Sequence, residues 1–405
     1  MMTFKQFLLE GGVAGHMAHP FDLPGANNGN GLISIFNKVV KSLQSKPSTV
    51  KIDGLNTSIK LITNENGKKE FAMDRGSNKP EDVQGVTISR LTQRFPEGHG
   101  MITTGKTVLQ IFNTAIPSIE KELKKLKMWD NSKILFNMEY VQGATNVIGY
   151  ANNFLAIHGL NEIVEIKSPV RGSIRRASRE ISYDKKALAS LIEKIKPIAQ
   201  KQGFDVVNEI NVDLKNKVDF NPALNSEFSV SIDSRTFNKK TLKEWLSKAK
   251  NPRAEKITLS DGRKISAMSL ENYKNIIAGI PLNTYVKNKA DIQKAIDGAL
   301  FYHATILLGD AIKNAASSKL GGLNSQEGIV IRDTSISPNP LKITGSFITG
   351  KEAGKIKQLK AGESEEGIKG FIKNVQKVEN KSNYQTNPPY GREGSQQRLT
   401  PGINI

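Results

Sequence analysis

The chain has 405 residues, is 38% hydrophobic and 6% aromatic, and carries 58 Lys and Arg against 39 Asp and Glu, for a formal net charge of +19. The absence of cysteine excludes disulfides, thiolate zinc sites and a cysteine nucleophile. The length allows two or three domains, or one large domain with an insertion. The charge excess suits a polyanionic partner, although a lysine-rich solvated surface would give the same total.

Residues 1–30 combine a short amphipathic stretch over 1–10 (MMTFKQFLLE) with a loop rich in Gly, Asn, His and Pro. The opening stretch runs into Gly11-Gly12 instead of a long apolar core, so no secretory signal is expected. Ile33 to Leu43 has the spacing of an amphipathic helix, closed by Pro47. Ser48 to Ile52 and Thr57 to Thr63 read as strands on either side of a Lys-Ile-Asp-Gly-Leu-Asn turn. Asn64-Glu65-Asn66-Gly67 signals a hairpin that returns through Glu70 to Asp74.

Val108 to Lys127 predicts a helix, and Lys133 to Glu139 and Asn153 to His158 predict short strands. Three further helices are expected over Lys186 to Gln202, Lys240 to Lys250 and Ala290 to Ser317, with Ile257 to Ile265 as a charged loop. The apolar run Ala299 to Ile312 contains His303 and Asp310 and is too short to span a bilayer, so no membrane partner is expected. Strand character returns over Gln326 to Asp333 and Leu341 to Ile348, and the polar tail from about Glu379 reads as disordered.

The chemistry centres on Lys51-Ile52-Asp53-Gly54. A lysine amine can attack the α-phosphate of a nucleoside triphosphate if burial and nearby cations free it of its proton. The tetrapeptide alone should occur by chance in roughly one protein in ten of this length, and Lys51 taken alone reads first as a surface lysine before a turn. Asp74-Arg75-Gly76 follows at a strand end, where Arg75 suits phosphate or ribose but also a solvated hairpin exit. Phe136 to Val141 carries Glu139, a candidate for metal or a ribose hydroxyl. Phe154, in Asn153 to His158, can stack on a purine or fill a core. Glu327 to Arg332 pairs an acid with an arginine, and Lys342 follows on the next strand; such fixed charges are what phosphoryl chemistry requires. His16 and His19 have a spacing compatible with metal but commoner by accident, and no serine elbow, phosphate-binding loop or zinc pattern is present.

In this order the segments resemble the covalent nucleotidyltransferase superfamily of ATP-dependent DNA ligases, RNA ligases and messenger-RNA capping enzymes. The resemblance implies an α+β fold: an ATP-grasp-like nucleotidyltransferase core of antiparallel sheets with helices, plus a largely helical insertion. It implies Lys51 as the adenylylated nucleophile and Lys342 as the cation on the α-phosphate. Asp53, Gly54, Arg75, Glu139, Phe154 and Arg332 are then nucleotide-binding, with Glu327 and Glu139 on the metal. ATP and Mg²⁺, or Mn²⁺ in its place, are the implied cofactors, RNA or DNA ends the partners, and the cytoplasm (of a host, if viral) the location.

Asn56 stands where DNA ligases usually have arginine and is closer to the RNA-ligase pattern. Thr344 occupies a position where the family offers a second lysine, and the stretch after the last motif reads as too short and too polar for the family's closing OB-fold, which is not expected here. The expected division is an N-terminal segment over 1–44, core over 45–164, insertion over 165–320, closing strands over 321–350, and a basic helix with a disordered tail over 351–405. The alternatives are a catalytically degenerate ligase fold that binds nucleic acid or belongs to a virion, and nucleotidyl transfer to a protein or RNA cap. The Lys/Asn/Ile-rich composition hints at a virus or phage with a low-GC genome.

Overall fold

The computed structural model describes residues 17–142, 150, 152–167 and 174–349. The expected amphipathic stretch over 1–10, His16, and the basic helix and tail from 351 onward lie outside the described residues. Within them the fold is α+β, built on antiparallel sheets with helices packed against them.

Helix α1 (Gly29–Ser45) starts where the Asn28 side chain accepts a hydrogen bond from the Gly31 amide, and it buries Leu32, Ile35, Phe36, Val39 and Leu43. Strands β1 (Ser48–Lys51), β2 (Leu55–Asn56), β3 (Ile59–Thr63) and β4 (Lys69–Met73) follow. The turn between β3 and β4 is closed by Asn64, whose side chain accepts from the Asn66 and Lys68 amides. Helices α2 (Pro80–Gln84), α3 (Leu91–Arg94) and α4 (Gly100–Lys125) lead to β5 (Ile134–Val141), β6 (Phe154–Lys167), β7 (Ile174–Glu180), α5 (Lys185–Gln200) and β8 (Asp205–Val207).

Strands β4-β3-β5-β6-β7 line up in that order, with β2 added on β5 and β8 lying parallel to β6. Alternation along β5 sorts its side chains between the two faces. Phe136, Met138 and Tyr140 face α4 and α5 in one core, where Phe71, Phe112 and Phe136 form a cluster with centroids 5.2 and 5.6 Å apart. Val141, with Phe154 and Ala156 from β6, belongs to a second core.

That second core is built by the rest of the chain. Its elements are β9 (Val212–Leu214), α6 (Asn221–Leu224), β10 (Glu227–Asp233), β11 (Thr236–Thr241), α7 (Leu242–Leu246), β12 (Lys256–Thr258), β13 (Lys264–Ser266), α8 (Leu270–Ile277) and α9 (Leu282–Tyr285). Then come α10 (Lys289–Ala315), β14 (Ala316–Ser318), β15 (Gly321–Gly322), β16 (Gly328–Ile331) and β17 (Leu341–Ile343). Strands β1, β16 and β17 form a three-stranded antiparallel sheet whose Val50, Ile329, Ile331, Leu341 and Ile343 pack into this core beside α1 and α10. Helix α10 extends beyond the apolar run read from sequence; it has the length and apolarity to cross a membrane, yet 78% of the relevant stretch is buried inside the protein.

The 165–320 segment departs from a mainly helical insertion. Strands β7 and β8 join the large sheet, because β6 runs on to Lys167 and offers both its edges. Residues 236–241, expected partly as helix, pair with β10, and the helix begins only at the Thr241–Glu244 capping box. The expected loop over 257–265 is the β12–β13 hairpin.

Strand β1 lies in the small sheet and β2 in the large one. Residues 52–54 therefore carry the chain from one sheet to the other, immediately after Lys51.

Candidate active site

This crossing collects acids around one lysine. Lys51 sits opposite Gly328 at the end of β1, and Glu327 directly precedes β16, so the pairing register brings the two side chains together. The Lys51 Nζ is 2.6 Å from Glu327 Oε1, and both side chains are largely shielded, at 17% and 14% exposure. From the other sheet, Asn56 pairs with Glu139, which places the Glu139 carboxyl against the crossing. A Cβ on Gly54 would lie 2.9 Å from the Glu139 Cβ and 3.0 Å from its Oε2, so glycine is what allows this approach.

Burial works to lower the Lys51 pKa, but Glu327, Glu139 and Asp53 together outweigh it and leave the amine above its ordinary value. Burial pushes Glu139 up to about 8 against the pull of Lys51, with Glu327 and Asp53 adding to the rise and Arg75 opposing it. Glu139 Oε2 is sealed from solvent and has no hydrogen-bond partner among the described residues. An acid-rich cluster with an unsatisfied oxygen at its centre costs stability and suits a ligand that brings cations.

Arg75 donates from Nη1 to the Asn56 carbonyl at 3.1 Å, so it stands beside the strand that holds Glu139. A buried network fixes its turn. Asp74 accepts from Lys60 at 2.7 Å, from Arg176 through both oxygens at 3.1 and 2.6 Å, and from the Gly76 amide at 2.9 Å. Asp82 accepts two bonds from Arg94 and one from Ser77.

Opposite residues in an antiparallel pair share a face, so Thr49, Val330 and Lys342 form one row beside the row of Lys51 and Gly328. Lys342 is thus on the Lys51 face of the small sheet, one row away. Arg332 is held by Glu180, Glu209 and the Thr49 hydroxyl at 2.9 to 3.2 Å, which makes it a clamp between β16, β7 and the β8–β9 connection. Phe154 is 5% exposed and packed in the second core, edge-on to Tyr150 at 5.3 Å. Its ring is therefore a wall under the site and not an open stacking platform.

The sequence reading missed three residues. The Tyr150 oxygen accepts from the Asp53 amide at 3.0 Å, and burial with the surrounding carboxylates keeps its phenol protonated. His158, beside the β5–β6 irregularity, is pulled down to about 3 by burial and by the Arg332 and Lys51 charges, so it stays neutral. Lys313 of α10 is only 1% exposed and donates to the Thr344 carbonyl at 3.4 Å. A lysine just after the apolar run Ala299 to Ile312, inside the expected Ala290 to Ser317 helix, was the available signal for it.

No described group of three or more His, Asp or Glu side chains is arranged to hold a metal ion. Surface hollows of ≈ 250 Å³ beside α5 and ≈ 530 Å³ beside β9 lie away from Lys51, so charge and not cavity size marks this site. No family model, curated protein or solved structure matches the chain.

Proposed function

We propose that the chain is an ATP-dependent polynucleotide ligase, RNA-ligase-like with DNA not excluded, acting through a lysyl-AMP intermediate at Lys51 on an ATP-grasp-like nucleotidyltransferase core. The observation that carries this reading is the junction of two sheets at which Lys51 meets Glu327 at 2.6 Å beside the sealed Glu139 carboxyl.

The Lys51 amine must lose a proton before it can attack, and Glu327 Oε1 is placed to take it and pass it to solvent. The Lys51 nitrogen then bonds to the α-phosphorus of ATP, the bond to the β-phosphate oxygen breaks, and pyrophosphate leaves. A 5′-phosphate oxygen displaces the lysine to give an adenylylated end, and a 3′-hydroxyl displaces AMP to join the strands. Arg75 and Lys342 supply fixed positive charge for the phosphates. Gly54 lets Glu139 approach, and Asp53 has its backbone fixed by Tyr150.

Magnesium held on nucleotide phosphates needs only one or two protein carboxylates, and Glu327 with the Glu139 oxygen, which has no partner among the described residues, fits that need. When bound, it neutralises phosphate charge. Incubation with α-labelled ATP and Mg²⁺ should leave label covalently on the wild-type chain and none on Lys51→Ala. Absence of adduct with any nucleoside triphosphate would remove the reading.

A catalytically degenerate ligase fold that binds nucleic acid is the second reading, favoured by Thr344 in the last strand motif and the net charge of +19. It predicts steeply salt-dependent RNA or DNA binding without adduct.

A further inference from the structure

Phe237 is the most exposed large apolar side chain among the described residues, at 61%. Alternation along the β10–β11 hairpin explains which way it points. Phe228 and Val230 are buried in the second core, so Ser229 and Ser231 of β10 stand on the outer face. Phe237 pairs with Ser231 and Lys239 with Ser229, which puts the ring and the lysine on that same outer face. The ring stands beside small polar neighbours and belongs to neither core.

The charge around it is one-sided. Residues 234–243 carry Arg235, Lys239, Lys240 and Lys243, all exposed, and no acid. The nearest carboxylates along the chain are engaged. Asp233 closes the turn by accepting from the Arg235 and Thr236 amides at 2.8 Å and from the Thr236 hydroxyl at 2.9 Å. Glu244 caps α7 by accepting from the Thr241 amide at 2.8 Å and its hydroxyl at 2.9 Å. Glu227 meets Lys239 at 2.5 Å, but both side chains are about half exposed, so the pair holds the amine only weakly. Lys240 reaches the other way, with its Nζ 5.3 Å from the centre of the Trp245 ring.

Lysines on an edge strand guard against strand addition, and β11 is an edge of its two-stranded sheet. That accounts for the charge and not for Phe237, because an exposed ring on an edge invites the association that lysines discourage. We propose that the outer face of the β10–β11 hairpin binds a single-stranded nucleic acid, with Phe237 stacking on a base and the surrounding cations drawing its phosphates. A duplex would meet the charge but offers no free base face, and an acidic peptide would meet the charge alone. The surface needs no chemistry at Lys51; on the ligase reading, it holds a strand whose end is to be joined.

The test is fluorescence anisotropy of the full chain, without ATP, on labelled oligo(U) and oligo(dT) of about 20 nucleotides, long enough to cover one such surface. Phe237→Ala should weaken binding about tenfold on at least one of them, Phe237→Tyr should restore it, and the salt slope should stay as in wild type. The pair Lys239→Gln and Lys240→Gln should instead flatten the slope of log affinity against log salt by about 1.4. A duplex of the same length should bind wild type and Phe237→Ala alike. Unchanged single-strand binding in Phe237→Ala overturns the inference, as does an equal loss on the duplex. Binding that depends on Phe237 in a chain that forms no nucleotide adduct sinks the ligase reading and leaves the surface standing. Adduct formation with binding indifferent to Phe237 does the opposite.

Discussion

Two charge clusters in this molecule use the same residue types to opposite ends. Around Asp74 and Asp82, every carboxylate faces a cation and a hydrogen-bond donor, with Asp74 and Asp82 fully buried among Lys60, Arg176 and Arg94. Around Lys51, Asp53, Glu139 and Glu327 crowd one amine, and a buried Glu139 oxygen has no hydrogen-bond partner among the described residues. The balanced cluster holds the Arg75 turn rigid; the unbalanced one stores an unmet demand for positive charge. Fully paired buried charge marks scaffold, and a buried carboxyl left without a partner among the described residues marks the place for a ligand.

The contrast is sharpest at Lys51. Replacing it with alanine should lower adduct formation at least about 10⁴-fold, as for loss of a nucleophile, while leaving folding intact by circular dichroism. Asp74→Ala should do the reverse. Stranding Lys60 and Arg176 in a buried site should cost about 3–5 kcal/mol in denaturant unfolding. A stable Asp74→Ala chain would erase the distinction between the clusters.

Protonation separates the clusters further. Because its acids hold Lys51 above its ordinary pKa, single-turnover adduct formation should rise about tenfold per pH unit from pH 6 to 8. A flat profile would mean the amine is already free. Glu139 gives the complementary stability test. Its folded pKa, about 8, lies above the ordinary 4.5, so the native state binds the extra proton and loses stability as pH climbs through that window. In metal-free buffer, Glu139→Gln should therefore melt increasingly above wild type between pH 5 and 8. The smallest effect should come from Gly54→Ala, at about 1–3 kcal/mol of crowding against Glu139, read as a lower melting temperature.

Local chemistry made part of this legible. The Asn64 to Gly67 turn and the stripes of α1, α4 and α5 announced themselves, since turn residues and helical spacing act within a few positions. Strand β11 did not, because TFNKKT is mostly exposed and lacks an apolar alternation; its partner β10 decides its form. Lys51, Glu139 and Glu327, singled out in sequence by their order along the chain, come together at the crossing between the two sheets. Tyr150 and Lys313 were not singled out, because their roles arise from contacts 97 and 31 residues away along the chain. Arg332 shows the converse: a plausible phosphate ligand in sequence is engaged by Glu180 and Glu209 in space.

Intact-mass analysis of the wild-type chain after incubation with ATP and Mg²⁺, followed by peptide mapping, tests the central claim most directly. The account predicts a gain of one AMP, located on the peptide containing Lys51. An unmodified chain, or AMP on any other residue, would contradict it.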